Sequence, residues 1–301
     1  MQKTMASEIA MMRPAAFGFN PQTAASNSFQ QKELPSDVKT KALAEFEVAV
    51  AAIQAAGIQV QVLQDSELPP KPDAIFLNNW FSTHADGRLL LYTMLAPNRQ
   101  LEVTPEHIAW LESRAAHRQT IDLRLTAASN QVLEGTGSIV FDHAHHLAVA
   151  VKSARTSPEL LQEVAALLGY KALLLEAADA QGREIYHTNV VMSISPQLAI
   201  CCFKALRDSD QAALLAALLQ RDGRRVIPVS LAQMASFCCN ALVVQTTEGQ
   251  PRILLSETAW NAFEAHQQLW IAEVAEPLVL HIPTIETVGG GSVRCMLAEL
   301  W

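Results

Sequence analysis

One cysteine of this 301-residue chain lies in a setting that suits a nucleophile. Cys295 follows three glycines, a serine, a valine and an arginine in the stretch GGGSVRCM. A cysteine reacts as its thiolate, and a neighbouring cation or the backbone N–H groups of a turn favour that form. Arg294 and the glycines at 289–291 could supply both, and glycines let the backbone approach a substrate closely. Because a lone cysteine is more often inert, this hypothesis needs partner residues elsewhere in the chain.

An imidazole and a carboxylate occur in two further stretches whose polarity a hydrophobic core would not require. His187 in EIYHTNVVMSI is followed two positions later by Asn189, and Glu134 in VLEGTGSIVFD precedes a Gly-Thr-Gly turn. A histidine can protonate a leaving amine and then activate water. A carboxylate can bind substrate nitrogens and orient the imidazole. A thiol, an imidazole and a carboxylate are together the groups needed for nucleophilic catalysis by cysteine.

The other cysteines and histidines favour structural interpretations. Four cysteines form two adjacent pairs in apolar runs, namely Cys201, Cys202, Cys238 and Cys239. They fit neither a disulfide framework nor a zinc site, so we expect small buried side chains. Three histidines lie close together in DHAHHLA, namely His143, His145 and His146. They lack the spacing of metal ligands, so a solvated turn is the better interpretation and no metal is expected.

The elements that must position these residues alternate along the whole chain. Strand patterns occur in EIAMMRP, IQVQVL, DAIFLNN and RLLLYTM. Helix patterns occur in VKTKALAEFEVAVAAIQAAG, TPEHIAWLESRA, TSPELLQEVAALLG, DSDQAALLAALLQ and SETAWNAFEAH. The polar stretch FGFNPQTAASNSFQ is either a lid or an ordinary surface loop. Spacing alone predicts one α/β or α+β domain and does not separate a doubly wound sheet from a propeller.

The composition limits the class of protein and its partners. Half of the residues are hydrophobic and 17% are charged, which predicts a large core. The formal net charge of −8 argues against nucleic acid and anionic membranes as partners. The sequence shows neither a signal peptide nor an apolar run long enough for a membrane span. The unpaired cysteines fit a reducing cytoplasm. The composition is compatible with a homo-oligomer.

Seven stretches, spread in order over nearly the entire chain, resemble the guanidine-modifying, or pentein, superfamily. They are MMRPAAFGFNP, AIFLNNWFSTH, APNRQLE, LEGTGSIVFD, KSARTSPELL, YHTNVVMS and GGGSVRCM. The resemblance is strongest to the branch of citrulline utilisation hydrolases, near the dimethylarginine dimethylaminohydrolases. It implies a single α/β domain over residues 1–301, folded as a five-bladed propeller of ββαβ modules around a polar central site. It also implies that neither a metal nor an organic cofactor is used.

The resemblance carries three catalytic roles onto this sequence. It implies that Cys295 is the nucleophile and that His187 is the general acid and base. It implies that Glu134 binds the substrate and orients the histidine. A closed, pseudo-symmetric propeller would bring these distant residues to one centre.

Two arginines are implied in substrate binding. Arg155 in SARTS matches an arginine that holds the substrate α-carboxylate in the dimethylarginine hydrolases, a task suited to a bidentate guanidinium. Arg99 in APNRQLE belongs to another recurring arginine motif of the superfamily. A salt bridge between Arg99 and Glu102 is at least as good an interpretation.

Two departures from the superfamily pattern bear on the substrate. Asn189 stands where arginine deiminases have the aspartate of a His-x-Asp motif, and Asn78 and Asn79 stand where guanidinium-binding relatives have acids. A buried guanidinium favours flanking carboxylates, because an unpaired buried charge is costly. A ureido group is neutral, and an amide that both donates and accepts suits it better. The three asparagines therefore favour citrulline over arginine, although buried asparagines are often merely structural.

These observations predict a hydrolase of carbon–nitrogen bonds other than peptide bonds. The expected partner is a small amino-acid substrate, and the expected reaction converts citrulline to ornithine, ammonia and carbon dioxide. The alternative enzyme is an arginine deiminase or dimethylarginine hydrolase that yields citrulline. The alternative of another class is a non-catalytic pentein that binds a ligand or a partner protein.

Overall fold

Five small sheets of the same topology form the framework of the molecule. The structure, a computed structural model, describes residues 4–24, 26–27, 29–30 and 37–301. Within these residues, each sheet has three strands, in the orders β15-β1-β2, β3-β4-β5, β6-β7-β8, β9-β10-β11 and β12-β13-β14. The strands are β1 (Glu8–Arg13), β2 (Gln59–Gln64), β3 (Phe81–Thr83), β4 (Arg88–Leu91), β5 (Gln119–Asp122), β6 (Ile139–Asp142), β7 (Leu147–Val151), β8 (Lys171–Leu175), β9 (Met192–Ile194), β10 (Leu198–Cys201), β11 (Arg225–Pro228), β12 (Leu242–Gln245), β13 (Pro251–Ser256), β14 (Glu276–Leu280) and β15 (Ala298–Leu300).

The helices connect strands within and between the sheets. They are α1 (Val38–Ala55), α2 (Pro97–Gln100), α3 (Pro105–Glu112), α4 (Leu123–Thr126), α5 (Gly135–Ser138), α6 (Pro158–Leu168), α7 (Ser209–Leu219), α8 (Leu231–Ala235), α9 (Glu257–Ala262), α10 (Ala265–Ala272) and α11 (Val293–Met296). Short 3-10 turns occupy Leu77–Asn79, Thr188–Val190, Phe203–Ala205 and Arg221–Gly223, and a π-turn occupies Ile285–Gly289.

Each sheet is one ββαβ module. Its first two strands are antiparallel, and a helical connection then returns the chain to a third strand parallel to the middle one. The middle strand β7, for example, has the sequence LAVAV and is buried along its whole length, as a strand paired on both sides should be. Helix α6 covers this module through a one-sided apolar pattern, and Ser157 caps its first turn by accepting from the N–H of Leu160.

One module joins strands from opposite ends of the sequence. Strand β15 pairs antiparallel with β1, so that Glu8 is opposite Leu300, and β2 completes the sheet on the other side. This pairing closes the series of modules into a ring. It also draws α11, which directly precedes β15, into the centre of the molecule, where its residues are buried.

The structure agrees with most elements predicted from pattern and differs at one that matters for the site. The stretch DAIFLNN, predicted as a strand, forms turns that end in the 3-10 segment Leu77–Asn79. Its apolar residues are fully buried, which explains the strand-like pattern. A buried turn and a buried strand have the same apolar run, and periodicity over so few residues does not separate them. No helix among the described residues is long and apolar enough to cross a membrane.

Candidate active site

The site is built from short segments that directly precede the first strand of each module. These are the segment Leu77–Asn79 before β3, α5 before β6, Thr188–Val190 before β9, the turn at 237–240 before β12, and α11 before β15. Polar side chains of these segments meet one another, since Cys295 contacts Asn189 and Asn240 and both Asn79 and His187 lie against Gly137. The sequence-predicted residues Asn79, Glu134, His187 and Cys295 all lie in or beside these segments and are all buried.

Glu134 and His187 form a hydrogen-bonded pair. The Nε2 atom of His187 lies 2.8 Å from Oε2 of Glu134. Because an ionised carboxylate only accepts, Nε2 carries the proton and the lone pair of the neutral ring lies on Nδ1. Burial lowers the pKa of His187 to about 4, although the hydrogen bond to Glu134 opposes this shift. The imidazole is therefore neutral near pH 7 and able to accept a proton.

The Glu134 carboxylate is fully engaged. Besides His187, its Oε2 accepts from Nη1 of Arg155 at 3.3 Å, and its Oε1 accepts from the backbone N–H of Leu95 at 3.0 Å. Burial alone would raise the pKa of Glu134, but the charge of Arg155 and the bond to His187 hold it well below its usual range. Glu134 is therefore a permanent anion that fixes the imidazole.

Cys295 lies between two asparagine side chains. The Nδ2 atom of Asn189 is 3.5 Å from Sγ of Cys295, and Nδ2 of Asn240 is 3.2 Å from the same sulfur. Amide N–H groups aimed at sulfur favour its charged form. Since His187 lies two residues before Asn189, the same turn places the imidazole and one of the two amides.

Gly137 allows the central groups to approach one another. A Cβ atom at this position would lie 2.3 Å from Nδ2 of Asn79 and 2.7 Å from Nδ1 of His187. No side chain fits in that space. The Gly-Thr-Gly turn noted in the sequence thus lets Asn79 and His187 face each other across α5.

Arg99 lies behind Asn79. It donates to both carboxylate oxygens of Glu102, at 2.8 and 3.0 Å, so the salt bridge weighed from the sequence is present. Its Nη1 also donates to Oδ1 of Asn79 at 2.7 Å. This contact uses the amide oxygen and leaves the amide nitrogen free, since Nδ2 of Asn79 has no partner among the described residues. Arg99 is placed to orient Asn79, and its guanidinium is already bound by protein groups.

Other buried polar atoms near the centre are also unpaired within the described part of the chain. Both polar atoms of the Asn78 side chain are unpaired, as is Oδ1 of Asn189. Buried polar groups are nearly always hydrogen-bonded, so unpaired amides, of which that of Asn189 lies beside the candidate nucleophile, indicate a ligand-binding centre. Their chemistry is neutral and offers both donors and acceptors.

Arg155 and Asp73 form a charged rim around this neutral centre. The guanidinium of Arg155 stacks over the ring of Tyr186, with its carbon 4.7 Å from the ring centre, and donates to Oγ of Ser26 at 2.7 Å. Oδ2 of Asp73 accepts from Asn20 and Thr23, at 2.8 and 2.9 Å. Oδ1 of Asp73 has no partner in the described residues, and burial raises the pKa of this carboxyl group.

The stretch FGFNPQTAASNSFQ covers the rim. Within it, Nδ2 of Asn27 donates to the backbone carbonyls of Gly289 and Gly290 at 3.3 and 3.2 Å, and Nε2 of Gln30 donates to that of Gly289 at 3.1 Å. Gly290 has a φ of 65°, which favours glycine, and a Cβ there would meet Asn27 at 2.8 Å. Ala25 and Ser28 of this stretch lie outside the described residues. The loop therefore rests on the glycines that precede the thiol, and its role as a lid stays a prediction.

Three residues of the site were not found from the sequence, namely Asn240, Asp73 and Gly137. The sequence does contain a pattern from which Asn240 could have been identified. Asn79, Asn189, Asn240 and Cys295 are each separated by one or two residues from the first strand of a module. Comparing the modules with one another would have shown this shared position. No group of three or more His, Cys, Asp or Glu residues within the described ranges is arranged to hold a metal.

The solved structures that are similar to this chain include structures of two proteins, ArgZ and DDAH. ArgZ, an arginine dihydrolase from the ornithine-ammonia cycle in cyanobacteria, matches with a TM-score of 0.77 and 16% identity over 97% of this chain and 40% of that chain. The N-terminal domain of ArgZ bound to product matches with a TM-score of 0.77 and 16% identity, over 98% of this chain and 97% of the domain. A mutant of DDAH from Pseudomonas aeruginosa complexed with citrulline matches with a TM-score of 0.69 and 13% identity, over 98% of this chain and 100% of that chain.

These likenesses confirm the predicted five-bladed pentein fold. The chain spans about 40% of the length of full-length ArgZ. A search of curated protein sequences found no match.

A protein-family model shows to which family the chain belongs. The model described as N,N dimethylarginine dimethylhydrolase, eukaryotic, matches residues 13–301. The match includes all of the sequence-predicted site residues. It supports the coarse function predicted from the sequence, a hydrolase that acts on carbon–nitrogen bonds of a guanidino-type group. The chain belongs to the N,N-dimethylarginine dimethylhydrolase family of the pentein superfamily.

Proposed function

We propose that this protein hydrolyses the ureido group of a small amino acid, with citrulline as its substrate and ornithine, ammonia and carbon dioxide as products. The observation that carries the proposal is the set of neutral, buried and unpaired amides at the site. Asn78, Asn79 and Asn189 offer unpaired buried donors and acceptors, and two of them stand where guanidinium-binding relatives have acids. A neutral ureido group matches these groups without adding a charge.

The balance of charge at the centre supports the same choice. The carboxylate that contacts the imidazole, Glu134, already pairs with Arg155. A guanidinium bound among the asparagines would be a buried cation without a dedicated anion, and such a charge costs several kcal/mol. A ureido carbonyl can instead accept from the free Nδ2 of Asn79.

The charged rim suits the other end of an amino acid. Arg155 can bind an α-carboxylate through its planar guanidinium. Asp73 has a free carboxylate oxygen for an α-ammonium group. An arginine and an aspartate at the rim, with amides at the centre, complement a zwitterion that ends in a neutral polar group.

The mechanism we propose uses a covalent thiol intermediate. His187, which is neutral at rest, takes the proton of the Cys295 thiol as the sulfur forms a bond to the ureido carbon, and the bond from that carbon to the substrate's side-chain nitrogen then breaks. His187 delivers a proton to this leaving amine, which departs as ornithine. His187 then takes a proton from water, whose oxygen attacks the S-carbamoyl carbon. The carbon–sulfur bond breaks, and His187 returns the proton to the sulfur, which restores the thiol. The released carbamate decomposes to ammonia and carbon dioxide.

A second candidate is hydrolysis of a guanidino group, from arginine or a methylated arginine, to give citrulline. The family description favours it, since that description names dimethylarginine. The solved neighbour ArgZ is itself described as an arginine dihydrolase. The same Cys295, His187 and Glu134 would serve this reaction.

The test is a product assay on the purified protein with L-citrulline, L-arginine and asymmetric dimethylarginine supplied separately. The Cys295→Ala variant is the control. Ornithine from citrulline, absent with the variant, supports the ureido hydrolase. Citrulline from either guanidine assigns the second candidate and overturns the charge argument. Turnover of none of the three, together with no selective labelling of Cys295 by a haloacetamidine, supports a non-catalytic pentein.

A further inference from the structure

We infer that Asn240 is a further catalytic residue, whose side-chain amide holds the Cys295 sulfur and stabilises its thiolate. This inference rests on the proposed function in one respect, that Cys295 is the nucleophile. The Nδ2 atom of Asn240 lies 3.2 Å from Sγ, closer than that of Asn189 at 3.5 Å. Both distances suit hydrogen bonds to sulfur.

The orientation of the Asn240 amide is fixed by a second contact. Its Nδ2 also donates to the backbone carbonyl of Asn189 at 3.2 Å, and a carbonyl can only accept. The nitrogen therefore points toward the Asn189 backbone and Cys295, with one hydrogen for each. Oδ1 of Asn240 lies 3.6 Å from the same sulfur. One side chain thus offers an acceptor to the thiol S–H and a donor to the thiolate.

The backbone holds Asn240 in a defined place. Its N–H donates to the carbonyl of Phe237 at 2.8 Å and so closes the turn that precedes β12. Phe237 has a φ of 63°, a left-handed conformation that is rare for an aromatic residue. Such conformations occur where surrounding structure imposes them, often at functional sites. Asn240 itself is fully buried, so solvent does not compete for its amide.

Asn240 is also distinct from the groups that would hold the substrate. Its polar contacts are to Cys295 and to the backbones of Asn189 and Phe237. Loss of its N–H should therefore lower the reactivity of the thiol and leave binding of the amino acid nearly unchanged. A hydrogen bond to a charged group corresponds to a change of roughly 10- to 100-fold.

The test is the rate of Cys295 alkylation by iodoacetamide as a function of pH, with each cysteine followed separately by peptide mass spectrometry. We expect Asn240→Ala and the isosteric Asn240→Asp to slow alkylation at pH 7 by roughly 10-fold or more and to move its pH profile upward. The exposed Asn261→Ala on α9 is the matched control and should keep the wild-type profile.

A wild-type profile in a folded Asn240 variant would overturn the inference. If Asn240→Ala fails to fold by circular dichroism, Asn240→Asp decides, because it preserves the shape of the side chain. Since iodoacetamide replaces the substrate, this result does not depend on whether citrulline is turned over. Where citrulline is turned over, the expected signature is a lower kcat with nearly unchanged KM.

Discussion

The carboxylate of Glu134 and the imidazole of His187 meet at 2.8 Å, and this contact places the protonated ring nitrogen on the carboxylate side. The remaining nitrogen, Nδ1, is left on the side of Gly137, facing the space that a Cβ atom would fill. One hydrogen bond thereby sets both the tautomer of the imidazole and the direction of its free lone pair. Its strength depends on the negative charge of Glu134, which Arg155 maintains.

Removing that negative charge should impair both activity and folding. In Glu134→Gln the side chain keeps its shape, but Arg155 loses its anion and the imidazolium loses its stabilising charge. We expect turnover to fall by about 100-fold or more and the free energy of unfolding to fall by about 3 kcal/mol. Steady-state kinetics and urea unfolding measure the two effects. The exposed Glu248→Gln is the control and should change neither turnover nor stability. Wild-type turnover in Glu134→Gln would show that activity does not depend on the contact between Glu134 and His187.

Acid should destabilise the fold through its buried histidines. Burial lowers the pKa of His187 from 6.5 to about 4, so its contribution to stability is present above pH 6.5 and is lost as the pH falls toward 4. His84 should also destabilise the fold as the pH falls, because burial lowers its pKa to about 3. Between pH 7 and pH 5 we expect each histidine to account for about 2 kcal/mol of lost unfolding free energy.

Urea unfolding at the two pH values provides the measurement. His187→Gln should retain a contact to Glu134 and should lose less stability than the wild type over this interval. An equal loss in both proteins would mean that His187 titrates near its ordinary pKa in the folded state.

Charge at position 79 should control which substrate is accepted. Asn79→Asp places a carboxylate where Arg99 now contacts the amide oxygen. It also removes the free Nδ2 donor that would serve a ureido carbonyl. We expect citrulline turnover to fall roughly 10-fold or more and kcat/KM for arginine to rise, because a buried cation gains an anion.

The product assay with both substrates checks this expectation, with the exposed Asn130→Asp as the matched control. An unchanged ratio of citrulline to arginine turnover in Asn79→Asp would show that the charge at position 79 does not determine the substrate.

A methyl group at Gly137 should disable the site without unfolding the protein. The added Cβ would lie 2.3 Å from Asn79 and 2.7 Å from His187, so one of these groups must move. We expect turnover to fall about 100-fold, since small misplacements of catalytic groups have effects of this size. Gly223→Ala is a useful control, because it has open space and a φ of 74° in a distant turn. It should cost about 1 kcal/mol of stability and leave kinetics intact.

The fold and the central residues were predictable to different degrees. Alternation of strand and helix patterns indicated an α/β chain, and the ordered set of seven stretches indicated the pentein propeller. The thiol, imidazole and carboxylate stand out because each has a chemistry that a core does not need. Local pattern did not indicate that DAIFLNN is a buried turn, since burial gives turns and strands similar composition.

Asn240 and Asp73 were missed for a different reason. Each is an ordinary polar residue in sequence, and its role follows from contacts with residues far along the chain, such as Cys295 for the first and Thr23 for the second. Gly137 was visible only as part of a turn, and the space it leaves depends on side chains from two other modules. Long-range juxtapositions of this kind are set by ring closure and have no signature within a single stretch. For Asn240 the signal lies in a comparison of the modules with one another.

The pairing of β15 with β1 has a consequence for the nascent chain. Glu8 leaves the ribosome long before its antiparallel partner, Leu300, because the other four modules lie between them in the sequence. Contacts between such distant residues form late in folding. Four of the five modules can assemble beforehand, but α11 and its thiol reach the centre only when the ring closes. Cys295 is thus kept away from Asn189 and Asn240 until the ring closes, and a polypeptide that stalls before Cys295 would carry His187 and Glu134 without the proposed nucleophile.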